Sequence, residues 1–226
     1  MGDHLNRTCR APGCWAPAAS RFAAYCGPHR AAFRRHGAVD QKAVTKGQLK
    51  PYLALVKKRI AKNPENIAWV TLDERWRALV DHAEGILAAF AKGKAGSRFE
   101  RVAAQEVIKL AKEVKPREVV EVVCAMVMVW TLEPRWFRSD NAFRIQLARR
   151  VRSLTDLHVG ERYDHVRGKI RRHYRELTSK AAVILGHWLA TTLGVGGQHL
   201  ARLEEAERVQ KARESRELHE ALAKLE

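Results

Sequence analysis

The stretch PREVVEVVCAMVMVWTLEP, Pro116–Pro134, decides the fold. Its interior, VVEVVCAMVMVW, is apolar nearly all round. The valines would suit a buried strand. The length and the two methionines favour a helix, and one apolar on every side belongs at the centre of a helical core. Pro116 fits the first helical position, where a missing N–H costs nothing, and Glu133-Pro134 breaks the run. Cys124 then reads as a small core residue rather than a metal ligand. The apolar stretch is far shorter than the ~20 residues that span a bilayer.

Helical signals continue on both sides. Leu49, Leu53, Val56 and Ile60 form one stripe, and Asn63-Pro64 ends that helix. Thr71–Glu74 and Ser97–Glu100 read as capping boxes, each opening a helix. Ser139 or Asp140 caps a helix over 141–154. The pattern then predicts a helix over 161–177 and an apolar one over 179–193. Gly194, Gly196 and Gly197 read as its stop. The tail, 198–226, is a charged helix whose leucine stripe is interrupted, leaving coiled-coil pairing open. The expected organisation is a module over 1–37, a basic connector and helical arm over 38–62, an all-helical body over 63–197, and the tail. The fold class is mainly α, with a small metal-bound hairpin and helix at its start.

The chain carries 42 Lys and Arg against 25 Asp and Glu, a net charge of +17. The excess is localised: +11 over 1–62 and +8 over 135–180, with −1 over each of 63–134 and 181–226. Such blocks favour polyanions, nucleic acid before anionic membrane. No signal peptide is visible, so the chain reads as soluble and cytoplasmic, where thiols stay reduced and hold metal rather than form disulfides.

Three of the four cysteines lie in TCRAPGCWAPAASRFAAYCGPHRAAFRRHG, Thr8–Gly37. Cys9, Cys14, Cys26 and His29 have the spacing C-x4-C-x11-C-x2-H. Thiolate and imidazole donors in two close pairs suit a tetrahedral zinc. Pro12-Gly13 supplies the turn between the first pair. Cys26 and His29, three apart, share a face of a helix start. Residues 15–25 have room for a hairpin, and Trp15, Phe22, Tyr25 and Phe33 would form the small core. Four ligands close the shell, so the zinc is structural. Disulfide and catalytic-zinc readings are weaker.

These residues resemble a small treble-clef-like zinc finger of phage and prophage proteins, often found beside HNH endonuclease domains. Cys9, Cys14, Cys26 and His29 match its ligands, and Phe33, Arg34, Arg35 and Gly37 match its exit. The match covers about residues 7–37. It implies nucleic-acid contact by the finger. The body is similar to uncharacterised prophage-encoded proteins, which carries over no activity.

The HNH chemistry itself is missing. Asp164-His165 and His173 are the nearest candidates, and no asparagine follows Asn141. No other catalytic constellation stands out. Expected nucleic-acid contacts are Arg30, Arg34 and Arg35 in the module, Lys50, Lys57 and Lys58 in the arm, and Arg144, Arg149, Arg150, Arg167, Arg171, Arg172 and Arg175 in the second basic block. There arginine forks suit phosphate. A helix-turn-helix over 116–154 is a further option. The expectation is therefore a non-enzymatic, phage-derived zinc-finger protein that binds duplex DNA. Its rivals are an interaction module that inhibits a host enzyme, acting through the C-terminal helix, and a nuclease remnant.

Overall fold

The computed structural model describes residues 7–155, 158–166, 168–174 and 176–223. Among them are seven α-helices, one 3-10 turn and one two-stranded hairpin, so the protein is mainly α. The helices are α1 (Gly27–His36), α2 (Lys46–Lys62), α3 (Ile67–Ala91), α4 (Arg98–Glu113), α5 (Pro116–Leu132), α6 (Asp140–Arg152) and α7 (Ser179–Ala223). Strands β1 (His158–Asp164) and β2 (Lys169–Tyr174) lie between α6 and α7.

Helix α5 is the centre of the core. Ten of its residues, from Val119 to Val129, are buried. Burial pushes the Cys124 thiol up to about 12, as expected of an inert core residue. Helices α2, α3, α6 and α7 pack around α5, and α4 packs on α3 and α7. Trp76, Phe143, Leu110, Met126 and Leu189 are among the largest fully enclosed side chains. Among the described residues no helix is long and apolar enough to cross a membrane.

Several local signals are realised. Ser97 accepts a hydrogen bond from the Phe99 amide and opens α4. Pro116 opens α5. Ser139 accepts from the Ala142 amide and opens α6. The Thr71–Glu74 box does not form. Helix α3 starts earlier, at Asn66, whose side chain accepts from the Ala68 amide. Thr71 is inside the helix and donates to the Ile67 carbonyl instead. The intervening Trp69 is buried, so packing extends the helix past the polar signal.

Two larger expectations are corrected. The described residues of 161–177 do not form a helix. Their β-branched and aromatic residues form the β1–β2 hairpin, with Tyr163 opposite Ile170 and Asp164 opposite Lys169. Asp164 accepts from the Val166 amide, and Gly168 supplies the left-handed residue (φ 59°) that closes the turn. Nor do Gly194, Gly196 and Gly197 stop a helix. They lie inside α7, a single helix of 45 residues. A Cβ on Gly197 would meet the Cys124 carbonyl at 2.7 Å, and one on Gly186 would run into the Arg144 carbonyl. These glycines let α7 approach the backbones of α5 and α6.

The helix-turn-helix option also fails on packing. Residues 133–139 separate α5 from α6, and α6 is buried along most of its length beneath α7. It is not free to enter a groove.

Gly186→Ala is expected to destabilise the body by about 1–3 kcal/mol, because the new methyl meets backbone that cannot rotate away. Urea unfolding followed by circular dichroism measures this; an unchanged midpoint would contradict the close approach.

Candidate metal centre and basic faces

The candidate metal centre is built from a knuckle and a helix start. Residues 7–9 pair with 16–18: the Cys9 amide donates to Ala16, the Ala18 amide donates to Arg7, and Thr8 bridges Pro17. This short antiparallel contact surrounds the first cysteine pair. The hairpin expected over 15–25 is absent. Gly13, at φ 71°, makes the turn. Cys26 is the N-cap of α1, with Pro28 in the first helical turn, so His29 falls one turn along.

The four ligand atoms lie within 4.8 Å of one another. His29 Nδ1 is 3.4 Å from Cys9 Sγ and 3.3 Å from Cys26 Sγ, and the Cys14 and Cys26 sulfurs are 4.0 Å apart. That is far beyond the ~2.0 Å of a disulfide, and all four cysteines are free thiols. Cys9, Cys14, Cys26 and His29 can therefore hold a metal ion. Burial raises the Cys9 thiol, but the Cys26 and Ala11 amides and the His29 ring outweigh it and bring it down to about 6. At Cys14 the Ala16 amide acts downward, but burial and the neighbouring sulfurs push it up. Crowded thiols that face backbone amides are a ready-made cation cage.

The aromatic core expected around this centre is not there. Trp15 is 87% exposed and Phe22 82%, and Phe33 is also exposed. Only Tyr25 turns inward, with its ring 5.6 Å from that of Phe33. The buried shell is Cys9, Ala11 and Cys26, flanked by Cys14, Tyr25 and Val39. A module this small can be held by ligand bonds, which leaves its large side chains free to face outward.

Several contacts tie the centre to the body, and the most enclosed of them is made by a side-chain amide. Gln146 on α6 is buried. Its Oε1 accepts from the Val44 amide at 3.1 Å, and its Nε2 donates to His36 Nδ1 at 3.1 Å. Ser179 at the start of α7 donates to the Arg34 carbonyl at 2.7 Å. Gly37, at φ 89°, lets the chain leave α1 against the Ala142 backbone, where a Cβ would stand 2.7 Å away.

The expected nucleic-acid residues that the structure describes divide into four groups. Arg30, Arg34 and Arg35 lie exposed on α1; Arg35 pairs with Glu176 at 3.2 Å. Lys50, Lys57 and Lys58 are exposed on α2, with Lys57 3.7 Å from Glu121. Arg144, Arg149 and Arg150 are only partly exposed on α6. Arg171 and Arg172 lie on β2, opposite Arg162 and Glu161, not on the basic helix expected there. Arg167 and Arg175 lie outside the described residues. The structure thus brings Arg34, Arg35, Arg149 and Arg150 to one cavity and leaves the α2 lysines elsewhere. Sequence reading missed Glu176, Arg98, Phe99 and Lys180, which line the same region, because no local pattern links them to α1. It also missed the ion pair of Arg152 with Glu106 at 2.7 Å, in which both side chains are largely buried.

No family model matches the chain, and no curated protein or solved structure matches it either.

The His36 contact carries a pH dependence. Burial, then Arg149 and Arg35, hold this imidazole below its ordinary value of 6.5. The folded state therefore prefers the neutral ring. Its contribution is complete above pH ~6.5 and is lost as pH falls below that, because the unfolded chain takes up the proton first. His36→Asn is expected to flatten the fall in thermal midpoint between pH 7 and pH 5.5; an equally steep fall in the variant would count against the contact.

Proposed function

We propose that this is a zinc-finger protein that binds nucleic acid through phosphate contacts, duplex DNA first, with zinc in a purely structural role. The observation that carries the reading is the construction of α1. The helix begins at a metal-ligand cysteine and displays Arg30 and Arg34 with no acidic partner among the described residues. A pinned helix holds its charges at fixed spacing, which is what backbone contact requires.

Zinc is favoured by the donor set and by distance. Bonds of about 2.3 Å to sulfur and about 2.0 Å to nitrogen, in a tetrahedron, put sulfurs about 3.8 Å apart and sulfur and nitrogen about 3.5 Å apart. The observed separations of 4.0, 3.4 and 3.3 Å fit that cage. Four protein ligands leave no open position, so the ion would organise residues 7–37 rather than activate water. Cys14→Ser is expected to lower bound zinc from one equivalent per chain, read by elemental analysis. A chelator should loosen the finger while the body keeps its cooperative unfolding, since the two have separate cores. Full zinc retention in Cys14→Ser would exclude this ligand set.

Further support comes from the exposed Lys50 and Lys58 and from the β1–β2 hairpin, which carries Arg162, Lys169, Arg171 and Arg172. A two-stranded ribbon has the cross-section of a major groove. The origin of the finger's resemblance, phage or prophage, belongs to the same reading, as does the absence of enzymatic chemistry. The rival, a protein-interaction module, draws on the far half of α7. There Val209, Leu218 and Leu222 are exposed.

The test is a titration of zinc-loaded protein into labelled random duplex DNA, followed by anisotropy at two salt concentrations. The expected result is binding that weakens steeply with salt, with a shallower slope in an Arg30→Ala/Arg34→Ala variant. No binding at low salt would remove the nucleic-acid reading. A salt-insensitive complex with a protein would favour the rival.

A further inference from the structure

Between α1, α6 and the start of α7 lies a cavity of about 210 Å³. Its charged lining is Arg34, Arg35, Arg149, Arg150, Arg152 and Glu176. Five arginines lining one concavity is an unusual concentration of like charge. Each must be offset or it costs stability. Arg152 is matched by Glu106 outside the cavity. Arg35 and Arg149 share Glu176, at 3.2 and 3.9 Å. Arg34 and Arg150 have no acidic partner among the described residues, and the Nε of Arg150 is buried without a hydrogen-bond partner. Buried donors are nearly always paired in native proteins, so a missing acceptor is the simplest account.

We propose that this cavity is a binding site for a phosphate monoester, with Glu176 as the internal competitor for the same arginines. The chemistry selects an anion with several acceptor oxygens, because arginine forks bind phosphate oxygens in pairs. The shape selects a terminal group. A duplex presents its diesters on a convex surface, whereas this site is walled by two helices and admits only what projects from an end or is free in solution. Burial holds Arg149 and Arg150 below the usual guanidinium value, and a bound dianion would offset that strain.

A second cavity, of about 480 Å³, adjoins the first and shares Arg34, Arg35, Glu176 and Leu177 with it. It adds Arg98, Phe99 and Lys180. The cations of Arg98 and Lys180 lie over the Phe99 ring, at 4.8 and 5.2 Å. The first turn of α7 forms part of the same wall and brings the partial positive charge of a helix start. The pair of cavities thus has a phosphate end and an aromatic, cationic end, the order of groups in a nucleotide. The inference deepens the nucleic-acid reading and rests on it only for the source of the phosphate, a 5′-phosphorylated strand end or a free mononucleotide.

The experiment uses the full zinc-loaded chain at fixed ionic strength. Inorganic phosphate and adenosine monophosphate are titrated by calorimetry. Short oligonucleotides ending in a 5′-phosphate or a 5′-hydroxyl are compared by anisotropy. The variants are Arg34→Ala, Arg150→Gln and Glu176→Gln. Arg34 and Glu176 are exposed, so their variants keep the test valid if Arg150→Gln folds poorly. The expected result is phosphate binding that weakens about tenfold in Arg34→Ala and tightens about tenfold in Glu176→Gln. A preference for the 5′-phosphate end that Arg34→Ala erases would assign the source to strand ends. Equal binding of both ends, with tight binding of the mononucleotide, would assign it to free nucleotide. No phosphate binding, or binding unchanged in both Arg34→Ala and Glu176→Gln, would overturn the proposal. The titration of random duplex DNA reports on general DNA binding separately, so the two readings fail independently.

Discussion

The close approach of α7 to the backbones of α5 and α6 is the constraint on which the rest of the structure depends. Gly186 lies against the Arg144 carbonyl and Gly197 against that of Cys124, in each case nearer than any side chain would permit. A 45-residue helix laid so tightly on two neighbours acts as a spine. It covers α6, shelters the valine-rich face of α5, and leaves its own far half, beyond Glu204, exposed. Interiors packed at crystal density tolerate little displacement, so these contacts set the position of α6 and of everything α6 carries.

Helix α6 in turn positions the finger. A single buried glutamine satisfies the Val44 amide on one side and the His36 ring on the other. Neither group could be left unpaired inside the protein without cost. The result is that a module with its own small core, built around Cys9, Cys14, Cys26 and His29, is held in one orientation against a helical body. The arginines of α1 and of α6, far apart in sequence, then face one cavity. Electrostatic concentration at that place is a product of docking, not of either element alone.

Helical character was legible where the signal is local and packing agrees with it. Pro116, Ser97 and Ser139 each mark a helix start that forms, and the apolar run of α5 is buried as its composition requires. The ligand set was legible for a related reason. Cys9, Cys14, Cys26 and His29 lie within a single short segment, so their spacing alone brings them together. Signals that depend on neighbours were misread. Glycines in α7 look like a helix stop unless α5 and α6 are known to lie beneath them. The arginine-rich segment 161–177 reads as a helix, with Tyr163, Val166, Ile170 and Tyr174 along one side, but Gly168 takes a left-handed φ and the residues that flank the turn pair as a ribbon.

The sequence by itself determined the mainly helical class, the cage of three thiols and one imidazole, and the two basic blocks. Each follows from periodicity, ligand spacing or composition within a few tens of residues. Only the tertiary structure decided which arginines meet, that Glu176 stands among them, that Trp15 and Phe22 face outward, and that one helix runs through Gly194, Gly196 and Gly197. These depend on which backbone surfaces come into contact, and that information is distributed across segments more than a hundred residues apart, as with Arg35 and Glu176 or His36 and Gln146.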